Sequence, residues 1–188
     1  MGTCFGRADS KTLDQAARFY YEDYWGFDKL PDEEAERDEM CYRYAQALCN
    51  AAGADGKVTE GELEWIQGYM AVKNMGSKVQ SEIPSLCERA AKETLKDVAQ
   101  DTAESMKVGT LRFAGRAIVF DAIRAASADG LDAKEKEAIY VMGEKFGLTK
   151  QCIAKLIQQV EKEEAVKMDR MKLIFPDGHP CLMAKYRP

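Results

Sequence analysis

Two stretches of the chain, Arg43 to Gly56 (RYAQALCNAAGADG) and Ala117 to Gly130 (AIVFDAIRAASADG), align without a gap and end on the same Ala-Asp-Gly. Their apolar positions coincide: Tyr44, Ala45, Leu48, Cys49 and Ala52 fall on Ile118, Val119, Ala122, Ile123 and Ala126. That spacing is a helical stripe, so one buried face is presented twice, each time before a turn that glycine favours. With a one-residue gap the following segments align as well. Thr59-Glu-Gly-Glu62 falls on Asp132-Ala-Lys-Glu135, both with the N-cap-x-x-Glu form of a capping box, and Ile66 falls on Ile139. The repeat predicts an all-α bundle of seven to nine helices, in which two helix-turn-helix units, spanning about 40–90 and 114–164, pack about a pseudo-twofold axis.

Helix stops extend the correspondence. Gly76-Ser77 and Gly147-Leu148-Thr149 both set a stop beside a new N-cap, making each half roughly three helices. In the second half Leu148 is placed to staple onto Ile153, and Ile153, Leu156, Ile157 and Val160 form a core face. In the first half Pro84 is expected to break or bend a short helix running from Ser77 to Ile83. Between the halves, Leu95, Val98, Ala99, Thr102 and Met106 describe one more amphipathic helix. An N-terminal helix is marked by Ala16, Ala17, Tyr20 and Tyr21, with Thr12 and Gln15 as its capping pair, and Pro31 suits the first turn of a long second helix with Asp32, Glu33 and Glu34 at its positive end. The pattern fades after Glu164. The organisation expected is an arm over 1–39, a helical domain over 40–166 and a tail over 167–188.

A net charge of −5 across 188 residues supplies no basic field for phosphates, which argues against nucleic acid as a partner. No run of apolar residues approaches a membrane span, and the start has neither the charged head nor the apolar stretch of a secretory signal, so a cytoplasmic location is expected. The six cysteines, Cys4, Cys41, Cys49, Cys87, Cys152 and Cys181, are scattered without CxxC pairs and read as reduced, mostly buried small hydrophobes.

A helix, an Asp-Gly turn and a helix beginning near a Glu invite a ligand count against a calcium-binding EF-hand, and the count fails. With Gly56 as the loop glycine, Asp55 and Glu62 take positions five and twelve, but positions one and three are Ala51 and Gly53. In the second loop Ala125 and Ser127 stand at one and three, and Lys136 where the bidentate acid belongs. Read as architecture, each glycine makes a left-handed turn, each Asp bonds local backbone and each Glu completes a cap. Read as chemistry, a cation site has to be shared across the axis, pooling Asp55, Glu60 and Glu62 with Asp129, Asp132 and Glu135.

The segments Ala52-Gly-Ala-Asp-Gly-Lys-Val-Thr-Glu-Gly-Glu-Leu and Ala126-Ser-Ala-Asp-Gly-Leu-Asp-Ala-Lys-Glu resemble the duplicated signature of the TerB-like tellurite-resistance family, over roughly Met40 to Val166. The resemblance implies a compact helical domain with two such repeats, associated with metal or chemical stress. It also implies divalent-cation binding through acidic residues near the turns, which designates Asp55, Glu62, Asp129 and Glu135 as metal candidates. Lys134 and Lys136 stand beside the second acidic cluster, and the aromatic N-terminal arm and Pro-containing tail lie outside the matched region.

Other constellations have plainer readings. His179, the only histidine, shares one Pro-flanked segment with Asp177 and Cys181, whereas a nucleophile, base and orienting acid normally converge from separate parts of a fold. Tyr20, Tyr21, Tyr24, Trp25 and Phe27 read as the arm's packing surface, and Met70, Met75, Met142, Met168 and Met171 as core or adaptable interface. The function expected is a non-enzymatic intracellular binding or adaptor module in stress handling, with a protein partner, no catalytic residues, and at most a weak calcium, magnesium or manganese site. Two rivals stand beside it. One is a peripheral membrane scaffold anchored by acyl chains on Gly2 and Cys4; the other is an enzyme of unrecognised type.

Overall fold

The structure, a computed structural model, describes residues 34–73 and 76–178 together with 15–17, 19 and 20. The calls on Gly2, Cys4, Thr12, Tyr21, Tyr24, Trp25, Phe27, Pro31, Met75, His179 and Cys181 lie outside these residues. The described part contains no strand. It consists of α1 (Glu34–Ala52), α2 (Glu60–Val72), α3 (Ser77–Ala90), α4 (Leu95–Ser105), a 3-10 turn (Leu111–Phe113), α5 (Gly115–Ala126), α6 (Ala133–Lys145) and α7 (Lys150–Ile174). The repeats occupy α1 to α3 and α5 to α7, with α4 between them, as the all-α repeat reading anticipates.

The duplicated stripes explain the packing. Tyr44, Ala45, Leu48, Cys49 and Ala52 on α1 and Ile118, Val119, Ala122, Ile123 and Ala126 on α5 are all buried, and the two helices pack against each other at the centre of a single hydrophobic core. Around this pair α1 also packs on α3, while α5 packs on α6 and α7. Ile66 and Ile139, the matched anchors of α2 and α6, are both completely buried. Burying an aliphatic side chain of this size contributes roughly 1.5–3 kcal/mol, so the stripe is the main source of stability.

Each Asp-Gly turn reverses the chain through a positive φ, 104° at Gly56 and 124° at Gly130, a conformation an L side chain resists. Next to the first turn α1 and α3 come unusually close. A Cβ placed on Gly53 would lie 2.8 Å from the carbonyl carbon of Ala90 and 2.8 Å from the backbone nitrogen of Ala91. Here glycine is needed for close approach of two backbones.

Two expectations are corrected. Pro84 neither breaks nor ends its helix, because α3 continues through it to Ala90. Proline in a helix interior costs about 3 kcal/mol, but Ile83, Leu86, Cys87 and Ala90 are all buried on the face that meets α1, and their burial outweighs that cost. The pattern after Glu164 does not fade into a tail either: α7 runs on to Ile174. This end has no core stripe to detect, but it is rich in good helix formers and is joined to the preceding turn by the local pair Lys167–Glu164. Among the described residues, no helix is long and apolar enough to cross a membrane.

Candidate functional site

The site starts from two helix caps. Thr59, in extended conformation, caps α2: its side chain accepts from the Glu62 amide, and Glu62 Oε2 accepts from the Thr59 amide at 2.8 Å and hydroxyl at 3.0 Å. Asp132 caps α6 in the same way, with the Asp132 amide donating to Glu135 Oε2 at 2.6 Å and the Lys134 amide to Asp132 Oδ1 at 2.6 Å. Both capping boxes are those read from the sequence. A capping glutamate is ordinarily solvated, yet Glu62 is only 1% exposed and Glu135 only 3%.

The reason is the packing of the halves, which brings the two carboxyls close enough to act on each other's titration. Glu62 Oε1 is buried and receives no backbone or side-chain N–H or hydroxyl donor. Burial pushes the Glu135 carboxyl up to about 8, with the bond to Glu62 and the charges of Glu62 and Asp55 adding to the rise against the pull of the Asp132 amide. Burial also raises Glu62, reinforced by the charge of Asp129 and opposed by the hydrogen bonds from Thr59 and Glu135. Near neutral pH the Glu135 carboxyl therefore keeps its proton, the usual outcome for one member of a close carboxyl pair.

The couplings run crosswise. Asp55 of the first turn acts on Glu135 of the second half, and Asp129 of the second turn acts on Glu62 of the first. Such reciprocity is the mark of a twofold arrangement. Asp55 is half-buried, with Oδ1 accepting from the Lys57 amide at 3.0 Å, whereas Asp129, Glu60 and Asp132 are exposed. Of the four metal candidates, then, Glu62 and Glu135 are in contact and Asp55 and Asp129 flank them. Among the described residues, no three His, Cys, Asp or Glu side chains come close enough to hold an ion directly.

A second polar cluster escaped the sequence reading. Asp121, 0% exposed on α5, accepts at Oδ2 from the hydroxyls of both Tyr44 and Tyr69. Lys73 Nζ lies 3.5 Å from the same oxygen, donates to Tyr44 Oη at 3.0 Å and stands 4.1 Å from the centre of the Tyr44 ring. Arg124 approaches Oδ1 at 3.6 Å while covering Trp65, which stacks on Tyr69. Burial lowers the Lys73 ammonium, opposed by the Asp121 carboxylate. The missed signal was an acid in the middle of an apolar stripe, IVFDAI, where a buried charge demands partners.

No family model and no curated protein matches the chain. Among solved structures it is similar to a tellurite resistance protein from Nostoc punctiforme, with a TM-score of 0.68 and 26% identity over 92% of this chain and 99% of that one. The likeness extends over nearly the whole of both chains, including both repeats.

Proposed function

We propose that this chain, a TerB-like helical domain in fold and in its duplicated turns, is a binding module whose Glu62–Glu135 pair exchanges its proton for a divalent cation. The observation that carries the reading is the buried carboxyl pair itself, with an oxygen that no other donor reaches. Two carboxylates close to each other suit an ion that keeps several of its waters, as magnesium does, and the charges of Asp55 and Asp129, which act on the pair, favour a cation there. Calcium, which takes six to eight oxygens, fits less well. With so few direct ligands the affinity belongs in the range of about 10⁻⁴ to 10⁻³ M. By analogy with the similar tellurite resistance protein, the module belongs to stress handling; a protein partner and a non-catalytic role complete the proposal.

Isothermal titration with magnesium, manganese and calcium at pH 6.5 and pH 8.5 tests this. Because the proton must leave before the ion binds, affinity is expected to rise with pH. It should be lost in Glu135→Gln and weakened in Asp55→Ala and Asp129→Ala alike. Absence of heat at millimolar ion at pH 8.5 would leave the turns as architecture alone.

A further inference from the structure

Two of the scattered cysteines meet once the helices are assembled. Cys49 on the buried stripe of α1 and Cys87 on the face of α3 that packs against it carry free thiols, 38 residues apart in the chain, and their sulfurs lie 3.3 Å from each other. The backbone sets this contact. One turn further on, the Gly53 amide donates to the Cys49 carbonyl at 2.8 Å and the Ala91 amide to the Cys87 carbonyl at 3.1 Å. There the two helices come so close that a Cβ at position 53 would strike the backbone of Ala90 and Ala91. The close approach that requires Gly53 also brings the two thiols together.

A disulfide holds its sulfurs at about 2.05 Å, so closing the gap takes a movement of little more than roughly 1 Å. The roles of the two thiols differ. Their mutual hydrogen bond lowers the Cys87 thiol, against its burial and the charge of Glu62, and raises Cys49, which burial raises further. Cys87 keeps 5% of its surface exposed and Cys49 none. Because the thiolate is the attacking form, Cys87 suits the nucleophile and Cys49 the thiol that resolves it. Burial also selects the oxidant. Hydrogen peroxide is little larger than water, whereas a glutathione-sized disulfide has to align its S–S bond with a sulfur that lies beneath the surface.

We propose that Cys49 and Cys87 are a peroxide-oxidised dithiol that closes to a disulfide and pins α1 to α3. The Cys87 sulfur attacks one oxygen of hydrogen peroxide and the O–O bond breaks; the product is a sulfenic acid, and the second oxygen leaves as water with the thiol's proton. The Cys49 sulfur then attacks the Cys87 sulfur, the S–S bond forms, the S–O bond breaks, and the hydroxyl leaves with the Cys49 proton as a second water. Two thiols have lost two electrons and the peroxide has gained them. The site is separate from the glutamate pair and does not depend on a metal.

The test treats the reduced full chain with hydrogen peroxide, blocks remaining thiols with N-ethylmaleimide and digests with trypsin, which places Cys49 on peptide 44–57, Cys87 on 79–89 and each other cysteine elsewhere. The expected product is the 44–57 to 79–89 link, reversed by dithiothreitol, with the melting temperature raised by roughly 5–10 °C while it lasts. In concentrated urea the same treatment should give a mixture of pairings. Cys49→Ser should leave Cys87 as a sulfenic acid that dimedone captures; should that variant fail to fold, the mapping of the unaltered chain decides alone. Four results would overturn the proposal: no such link at millimolar peroxide, the same mixture of pairings from folded and unfolded chain, oxidised glutathione forming the link as fast as peroxide, or a link that leaves the melting temperature unchanged.

Discussion

Lys73 Nζ lies 3.5 Å from Asp121 Oδ2, joining the end of α2 to the middle of α5 where neither side chain has more than marginal access to water. Removing one partner of a buried pair strands the other, which typically costs about 3–5 kcal/mol. Asp121→Ala is expected to fall in that range by urea denaturation. Lys73→Met should cost clearly less, because Asp121 keeps the hydroxyls of Tyr44 and Tyr69 and the charge of Arg124. A loss below about 1 kcal/mol for Asp121→Ala, the size of one ordinary hydrogen bond, would show that the cluster does not hold the halves together.

The glutamate pair sets a pH dependence of the opposite sign to the common one. Glu135 titrates near 8 in the folded protein and from 4.5 when unfolded, so between these values the native state binds more protons than the unfolded chain. Stability should therefore decline as pH rises from about 4.5 towards 8 and level off beyond. Glu135→Gln, which cannot ionise, should flatten that slope. Melting curves across pH 5 to 9 without divalent ions read this directly, and equal slopes for the two proteins would contradict the raised Glu135 carboxyl.

Two glycines should respond in opposite directions to alanine. At Gly53 the added methyl meets the backbone of Ala90 and Ala91, which cannot move aside as a side-chain tip can, so Gly53→Ala should destabilise by roughly 1–3 kcal/mol. Gly68 sits mid-helix in α2 with nothing within 4 Å of its would-be Cβ, and Gly68→Ala should stabilise by roughly 0.5–1 kcal/mol. Denaturant midpoints measure both, and a neutral Gly53→Ala would mean that α1 and α3 have room to part.

Helix type and capping boxes were legible because each rests on local spacing: Thr59 finds Glu62, and Asp132 finds Glu135, within a single turn. Helix ends were less so, since Pro84 and the stretch after Glu164 are decided by what α3 packs on and by solvent-facing pairs along α7. The convergence of Glu62 on Glu135 followed only by supposing an axis. Tyr44, Tyr69 and Lys73 meeting at Asp121 had no local mark, because their partnership exists only once α1, α2 and α5 are assembled.

The crosswise pairing of the caps also bears on synthesis. A ribosome delivers α2 and its cap well before α6, and through that interval Glu62 has no Glu135 beside it. The nascent first half can coil its helices, but it cannot assemble the carboxyl pair. That pair comes into being only when α6 docks, so the proposed exchange of a proton for an ion is open to the finished molecule and closed to its fragments.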